Sequence, residues 1–421
     1  MKRDTWLAFI FLVLVVGVTS TASAQTLLQP VTWSGTDSYS AWTGYNGDFY
    51  TTGTNGGYIF TEESVQAGGS AVTGFWEEAE EIEVAEDAYY YSVNNYPTHD
   101  HSAYVQEIND LCNGFVLNNK YSKNGDWSAD KFNDDISWAV IAFTRAYQIT
   151  GNKQWLIYAK QNFTYVWNNA QPPPVTNGSN GLLQSLPHTL PNGKPWTPNL
   201  DAAVNFAFVI AGYLLHDNTT GTESATYKSE ADAIYNWAKA NLYVYDFEPC
   251  NNQPDFICSK IYDSNNTSQG GDIGASDFTY NYGIAIQAAT REGDNTVAST
   301  VANWLMYNSN NPNYPYAGIF NGYEVLPNYS DTGNNNSCND CGYNGIALRG
   351  IAFGLSRGSL SNPNTLAWAQ ANVQAAWNIR NSDNVMWDDW TDPTSGDQYS
   401  WGDSGALAGM LDIPAPGGYP Q

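Results

Sequence analysis

Positive charge is scarce: 16 Lys and Arg stand against 42 Asp and Glu in 421 residues, a formal net charge of −26. Phosphate backbones and anionic headgroups are held by Lys and Arg, so nucleic acid and anionic membrane surfaces are excluded as partners. Histidine is also sparse. The four residues are scattered, and His99-Asp100-His101 has neither a partnering Cys nor an HExxH context, so no metal and no cofactor is expected. Beyond the first residues no apolar run approaches the ~20 residues of a membrane span. Only five cysteines are present. Cys250/Cys258 and Cys338/Cys341 are each close enough to close small disulfide loops in an oxidising compartment, while Cys112 sits in an apolar pattern and reads as a buried thiol.

What the chain does have is a leader and many aromatics. Lys2 and Arg3 precede an apolar run from Trp6 to Val18, and Ala22-Ser23-Ala24 offers a cleavage site. Residues 1–24 are therefore expected to be a signal peptide, and 25–421 a secreted, monomeric single domain without a linker. Sequons at Asn162, Asn177, Asn218, Asn265, Asn266, Asn328 and Asn335 would be open to glycosylation in such a compartment. Aromatic residues make up 14% of the chain, as many as the charged ones. Their flat faces suit either the apolar face of a sugar ring or a large helical core.

Apolar residues recur at helical spacing in pairs of segments separated by turn residues. Phe75–Tyr91 precedes Ser102–Leu117, and Asp134–Tyr147 precedes Gln154–Trp167. Asp201–Leu215 pairs with Thr226–Leu242, Thr279–Arg291 with Thr296–Tyr307, and Tyr343–Leu355 with Asn364–Ile379. Asp403–Leu411 stands alone. The first members are mostly apolar on all sides and belong inside; the second members are amphipathic and belong outside. Six inner and about five outer helices, with one outer member not evident, predict an all-α (α/α)6 barrel with long loops. Weak strand signals at Asp48–Tyr50 and Gly57–Phe60 allow one small hairpin.

In such a barrel all inner helices run the same way, so their N-termini share one rim. Asn133-Asp134-Asp135-Ile136-Ser137-Trp138 opens one of them with two consecutive carboxylates. Asp is common at helix starts because it caps free N–H groups. Consecutive helical side chains diverge by roughly 100°, which also leaves two carboxyl groups about 5–6 Å apart. A retaining glycosidase needs its acid and its nucleophile roughly 5–5.5 Å apart. The convergence of Asp201, Tyr280-Asn281 and Tyr343-Asn344 on the same rim favours the catalytic reading. Trp127 and Trp138 bracket the pair; Trp127 could stack on a sugar, whereas Trp138 reads as core. Glu78 and Glu81 either reach substrate or form a solvated acidic helix start. Asp388-Asp389, a second acidic pair, lies in a loop and reads as structural. Arg349 is expected in a buried salt bridge.

The order of short motifs resembles glycoside hydrolase family 76, the endo-α-1,6-mannanases. Phe75-Trp76-Glu77-Glu78-Ala79-Glu80-Glu81-Ile82-Glu83 is similar to the family's first inner helix. Phe132-Asn133-Asp134-Asp135-Ile136-Ser137-Trp138-Ala139 with Arg145-Ala146-Tyr147 is similar to its catalytic helix. Thr279-Tyr280-Asn281 with Gly283, Gly345-Ile346 with Arg349, and Ala376-Trp377-Asn378 with Asp389-Trp390-Thr391 resemble later motifs, and Asn205 matches as well. The resemblance implies hydrolysis of α-1,6-mannan with Asp134 as nucleophile and Asp135 as acid/base. Trp127, Asn133, Asn205, Tyr280, Asn281 and Glu81 complete the expected substrate-binding set. Alternatives on the same fold are a mannan transglycosylase of cell-wall remodelling and a non-catalytic glycan-binding protein.

Overall fold

The computed structural model describes residues 30–172, 177–189, 195–196, 199–243, 249–250, 253–264, 278–307, 316–327, 341–390, 393–394 and 398–416. Twelve α-helices lie among them: α1 (Gly35–Phe49), α2 (Phe75–Asn95), α3 (Ser102–Asn118), α4 (Asn133–Thr150), α5 (Lys153–Asn169), α6 (Ala202–Asp217), α7 (Gly221–Asn241), α8 (Thr279–Glu292), α9 (Asn295–Tyr307), α10 (Tyr343–Ser356), α11 (Thr365–Asn378) and α12 (Ser400–Asp412). The even-numbered helices pack in sequence, α2 on α4, α4 on α6, and so on until α12 returns to α2. This closed inner ring, jacketed by the odd-numbered helices, is the expected (α/α)6 toroid. The inner helices are buried on nearly every side. In α6 every residue from Ala202 to Leu215 is buried, whereas α7 buries only the stripe that includes Tyr227, Ala231, Ile234 and Ala238.

The missing outer helix is α1, for which no helix was expected. Its sequence, GTDSYSAWTGYNGDF, is rich in Gly, Ser and Thr and propagates a helix poorly. Tertiary burial of Ala41, Trp42, Tyr45 and Phe49 compensates, together with the Ser34/Asp37 capping box. Ser38 donates to the Met410 carbonyl (2.8 Å) and Tyr45 to that of Ser400 (3.2 Å), which fastens α1 to α12. Asp48 and Phe49 end α1; the expected hairpin follows as β1 (Tyr50–Thr52) with β2 (Tyr58–Phe60). Three more two-stranded hairpins decorate the loops: β3 (His188–Thr189) with β4 (Pro195–Trp196), β5 (Pro249–Cys250) with β6 (Gln253–Ile257), and β7 (Tyr316–Phe320) with β8 (Tyr323–Pro327). Cys250 and Cys258 form a disulfide across the β5–β6 hairpin (Cα–Cα 5.0 Å). Cys341 is disulfide-bonded too, and Cys338 lies outside the described residues, as do 1–24 and the sequons at 265, 266, 328 and 335. Cys112 is a buried free thiol.

Two close contacts set the ring's geometry. A Cβ at Gly350 would lie 2.3 Å from the Gly283 carbonyl oxygen, and one at Gly283 would lie 2.3 Å from that of Ile346. Only glycine lets α8 and α10 approach this closely. Gly350→Ala is expected to cost about 1–3 kcal/mol by forcing the two helices apart, read as a lowered urea midpoint with an unchanged slope. The second contact is electrostatic. Arg145 on α4 bridges Glu83, Glu86 and Asp87, and Arg349 on α10 bridges Glu80 and Asp87, so α2 is clamped from both sides. Arg349 thus has the buried salt bridge expected of it.

The acidic face of α2 is not solvated. Glu78 and Glu81 are buried, Glu78 accepting from Asn119 Nδ2 (2.9 Å) and Glu81 from Thr73 (2.9 Å) and Ser400. Asn162 is also buried, accepting from the Trp127 N–H and donating to the Gly125 and Tyr158 carbonyls. Its amide has no room for a glycan in the folded chain.

Candidate active site

The N-terminal rim of the inner ring opens into a cavity of about 270 Å³ lined by Trp76, Phe132, Asp134, Asp135, Trp138, Gln184, Ala203, Tyr280 and Tyr343. Apart from Phe132, Gln184 and Trp138, which lies one turn further along α4, these residues belong to the first turns of α2, α4, α6, α8 and α10. Aromatic side chains dominate. The rings of Tyr280 and Tyr343 meet at 4.6 Å and those of Trp76 and Tyr343 at 6.1 Å, while Phe132 stands 40% exposed at the mouth. Such walls suit the apolar faces of pyranose rings.

Asp134 and Asp135 lie on this cavity in the first turn of α4. Phe132 is the N-cap residue but offers no side-chain cap, and the first-turn N–H groups of Asp134 and Asp135 themselves favour the ionised Asp134 carboxylate. Both acids are nonetheless held above the ordinary carboxylate range. Burial pushes Asp134 up to about 7, against the helix N–H groups and Gln184. Asp135 is pushed well up by burial and then by the negative charges of Asp134, Asp130, Glu77 and Asp201. The pair is thus unequal: neighbouring negative charges add to the rise at Asp135, whereas hydrogen-bond donors oppose it at Asp134. Among the described residues Asp134 Oδ1 is buried without a hydrogen-bond partner, and Oδ2 accepts from Gln184 Nε2 at 3.4 Å. Two acids so placed can divide protonation of a leaving group from attack at carbon.

Gln184 was not singled out from the sequence. It is held there by Asn133 and Asn205. The Asn133 backbone N–H donates to the Gln184 carbonyl (2.6 Å), and its Nδ2 donates to that of Leu183 (2.8 Å). Asn205 Oδ1 accepts from the Leu182 N–H (2.9 Å) while its Nδ2 donates to the Leu182 carbonyl (3.0 Å). Both asparagines are buried and off the cavity wall, so their expected place against substrate is corrected to one behind the loop. Gln184→Ala removes a donor to the charged form of Asp134. The acid limb of kcat/KM is expected to move to higher pH, with the plateau lowered by less than about tenfold for one long hydrogen bond.

Four further expectations change. Trp127 is fully buried behind α4, edge-on to Phe143 (4.9 Å), Phe115 (5.7 Å) and Phe75 (6.1 Å), and cannot stack on a ligand. Trp138, expected in the core, borders the cavity as well as the core. Glu81 is tied to Thr73 and Ser400 rather than facing substrate. Asn281 is buried with Nδ2 on Asp263 (2.9 Å), and of the Tyr280-Asn281 pair only Tyr280 lines the cavity. Asp388 and Asp389 are buried away from it. No group of three His, Cys, Asp or Glu able to hold a metal occurs among the described residues.

Several known structures of the same fold carry mannanase names. The α-1,6-mannanase GH76A of Salegentibacter sp. HEL1_6 superposes with a TM-score of 0.66 at 18% identity, over 90% of this chain and 98% of that one. An inactive variant of the same enzyme, with two consecutive aspartates replaced by alanine and in complex with α-1,6-mannotetrose, gives 0.67 at 17% identity with the same coverage. Dfg5 from Chaetomium thermophilum, in complex with glucosamine, gives 0.54 at 16% identity over 80% of each chain. No curated protein matches. The sequence model of glycosyl hydrolase family 76 matches residues 37–410, and the chain belongs to that family.

Proposed function

We propose that the protein is a secreted, retaining endo-α-1,6-mannanase. The observation that carries this reading is the unequal pair at the rim: two consecutive carboxyls on one aromatic-walled cavity, both raised by burial, with hydrogen-bond donors opposing the rise at Asp134 and neighbouring negative charges adding to it at Asp135. Asp134 attacks the anomeric carbon as Asp135 passes its proton to the departing glycosidic oxygen, leaving a mannosyl ester on Asp134. Asp135, now a carboxylate, takes a proton from water. That water attacks the same carbon, frees Asp134 and returns the α configuration. The family membership and the replaced aspartate pair of the Salegentibacter enzyme support the assignment. The apolar leader at the N-terminus supports secretion.

Digestion of α-1,6-, α-1,2- and α-1,3-linked mannans tests it. Short α-1,6-mannooligosaccharides with an initially α reducing end are expected from the first substrate alone. Products lengthened by an added acceptor sugar would turn the reading to a transglycosylase. Binding with no reducing-end release would overturn catalysis altogether.

A further inference from the structure

The toroid has a second opening. At the C-terminal ends of the inner helices lies a cavity of about 750 Å³, within the roughly 300–1,000 Å³ range of small-molecule sites. Arg291 on its wall is some 16 Å along α8 from Tyr280 at 1.5 Å per residue, so this space is separate from the rim bearing the Asp pair. Four arginines line it: Arg145, Arg291, Arg349 and Arg357.

Arg145 and Arg349 are spent on the carboxylates of α2. Arg291 is different. Among the described residues no carboxylate lies within ion-pair distance of it, and its Nε is buried with no hydrogen-bond acceptor. Its guanidinium instead rests 4.6 Å from the centroid of Phe353, and that of Arg357 lies 5.4 Å from the same ring. Burial lowers Arg291 to about 10; Asp217 and Glu83, on the wall of the same cavity, favour its charge without pairing with it, and Arg145 and Arg357 oppose it. Helix C-termini attract cations, which accounts for arginines gathering at this end. The dipole does not supply an acceptor for Nε, and a desolvated cation without a partner is costly. An oxyanion accepting two N–H groups of the guanidinium fork would remove that cost.

We propose that this distal cavity binds a small oxyanion, a phosphate- or carboxylate-bearing sugar, with Arg291 as its anchor and Arg357 beside it at the mouth. The site acts independently of turnover at the opposite rim.

Calorimetric titration of the full chain at fixed ionic strength provides the test, with inorganic phosphate, mannose 6-phosphate and glucuronate as probes and with chloride and mannose as controls. One-to-one binding of at least one oxyanion is expected, unchanged by α-1,6-mannooligosaccharide. Arg291→Gln should weaken it about tenfold or more while hydrolysis of mannan stays at the parent level. Tightest binding of mannose 6-phosphate assigns a phosphorylated sugar, and of glucuronate an acidic one. Should Arg291→Gln fail to fold, Arg357→Gln on the exposed mouth is expected to weaken binding severalfold. Heat of equal size with chloride, no oxyanion binding, or parent affinity in the variant that folds overturns the proposal.

Discussion

Asp134→Asn is expected to lower turnover of α-1,6-mannan by at least about 10³-fold, because the nucleophile is removed and the covalent route with it. Asp135→Asn is expected to cost about 10²–10⁴-fold, the usual worth of a general acid. The two losses are distinguishable. An aryl mannoside whose leaving group needs no proton should restore the first step in Asp135→Asn and leave Asp134→Asn inactive. Asn keeps the size of Asp, and among the described residues neither carboxyl holds an ion pair. Both variants should therefore stay folded, with melting temperatures at or above the parent's. Near-parent rates in Asp134→Asn, or rescue of that variant by the activated substrate, would remove Asp134 from its assigned role.

The second large effect is on stability. Glu78 is pushed from the ordinary 4.5 up to about 8 by burial, Asp388 to about 7, and Glu81, Asp403 and Asp412 are all pushed well up for the same first reason. A carboxyl raised on folding binds its proton more tightly in the folded chain. Its stabilisation is complete below the unfolded value near 4.5 and disappears as pH climbs through the folded value. For Glu78 alone the difference is worth on the order of 4 kcal/mol. The melting temperature should be highest near pH 4–5 and fall steadily to pH 8. A profile that rises across this range would mean these acids are ionised in the folded chain. Glu78→Gln should flatten the slope, since Gln can still accept from Asn119.

The helices were legible where burial alone shaped the composition. An all-round apolar stretch such as Ala202–Leu215 has one place to go, and its partner with a single apolar stripe has another. α1 hid because its three glycines and its hydroxyl residues mask the spacing of Ala41, Trp42, Tyr45 and Phe49. The acids of α2 read as either substrate contacts or a solvated helix start because Arg145 and Arg349, which clamp them, arrive from about 60 and 270 residues away. The Asp pair was visible as a local motif, and Tyr280 through the shared rim. Gln184 was not, because its place over Asp134 depends on Asn133 and Asn205 gripping an irregular loop. Trp127 shows the converse: nearness in the chain to Asp134 says nothing of which side of α4 a ring takes.

The fastening of α1 to α12 bears on how the molecule is made. The inner circle lacks a member until Ser400–Asp412 has left the ribosome, and until then α1 lacks its main helical partner and α2 is bare along one flank. Helices joined through neighbouring segments can assemble early, but this closure joins parts of the chain more than 350 residues apart and must come late. Chains that stall before residue 400 should therefore be sticky and quickly degraded, and a chaperone that shields α2 would be needed longest by the shortest of them.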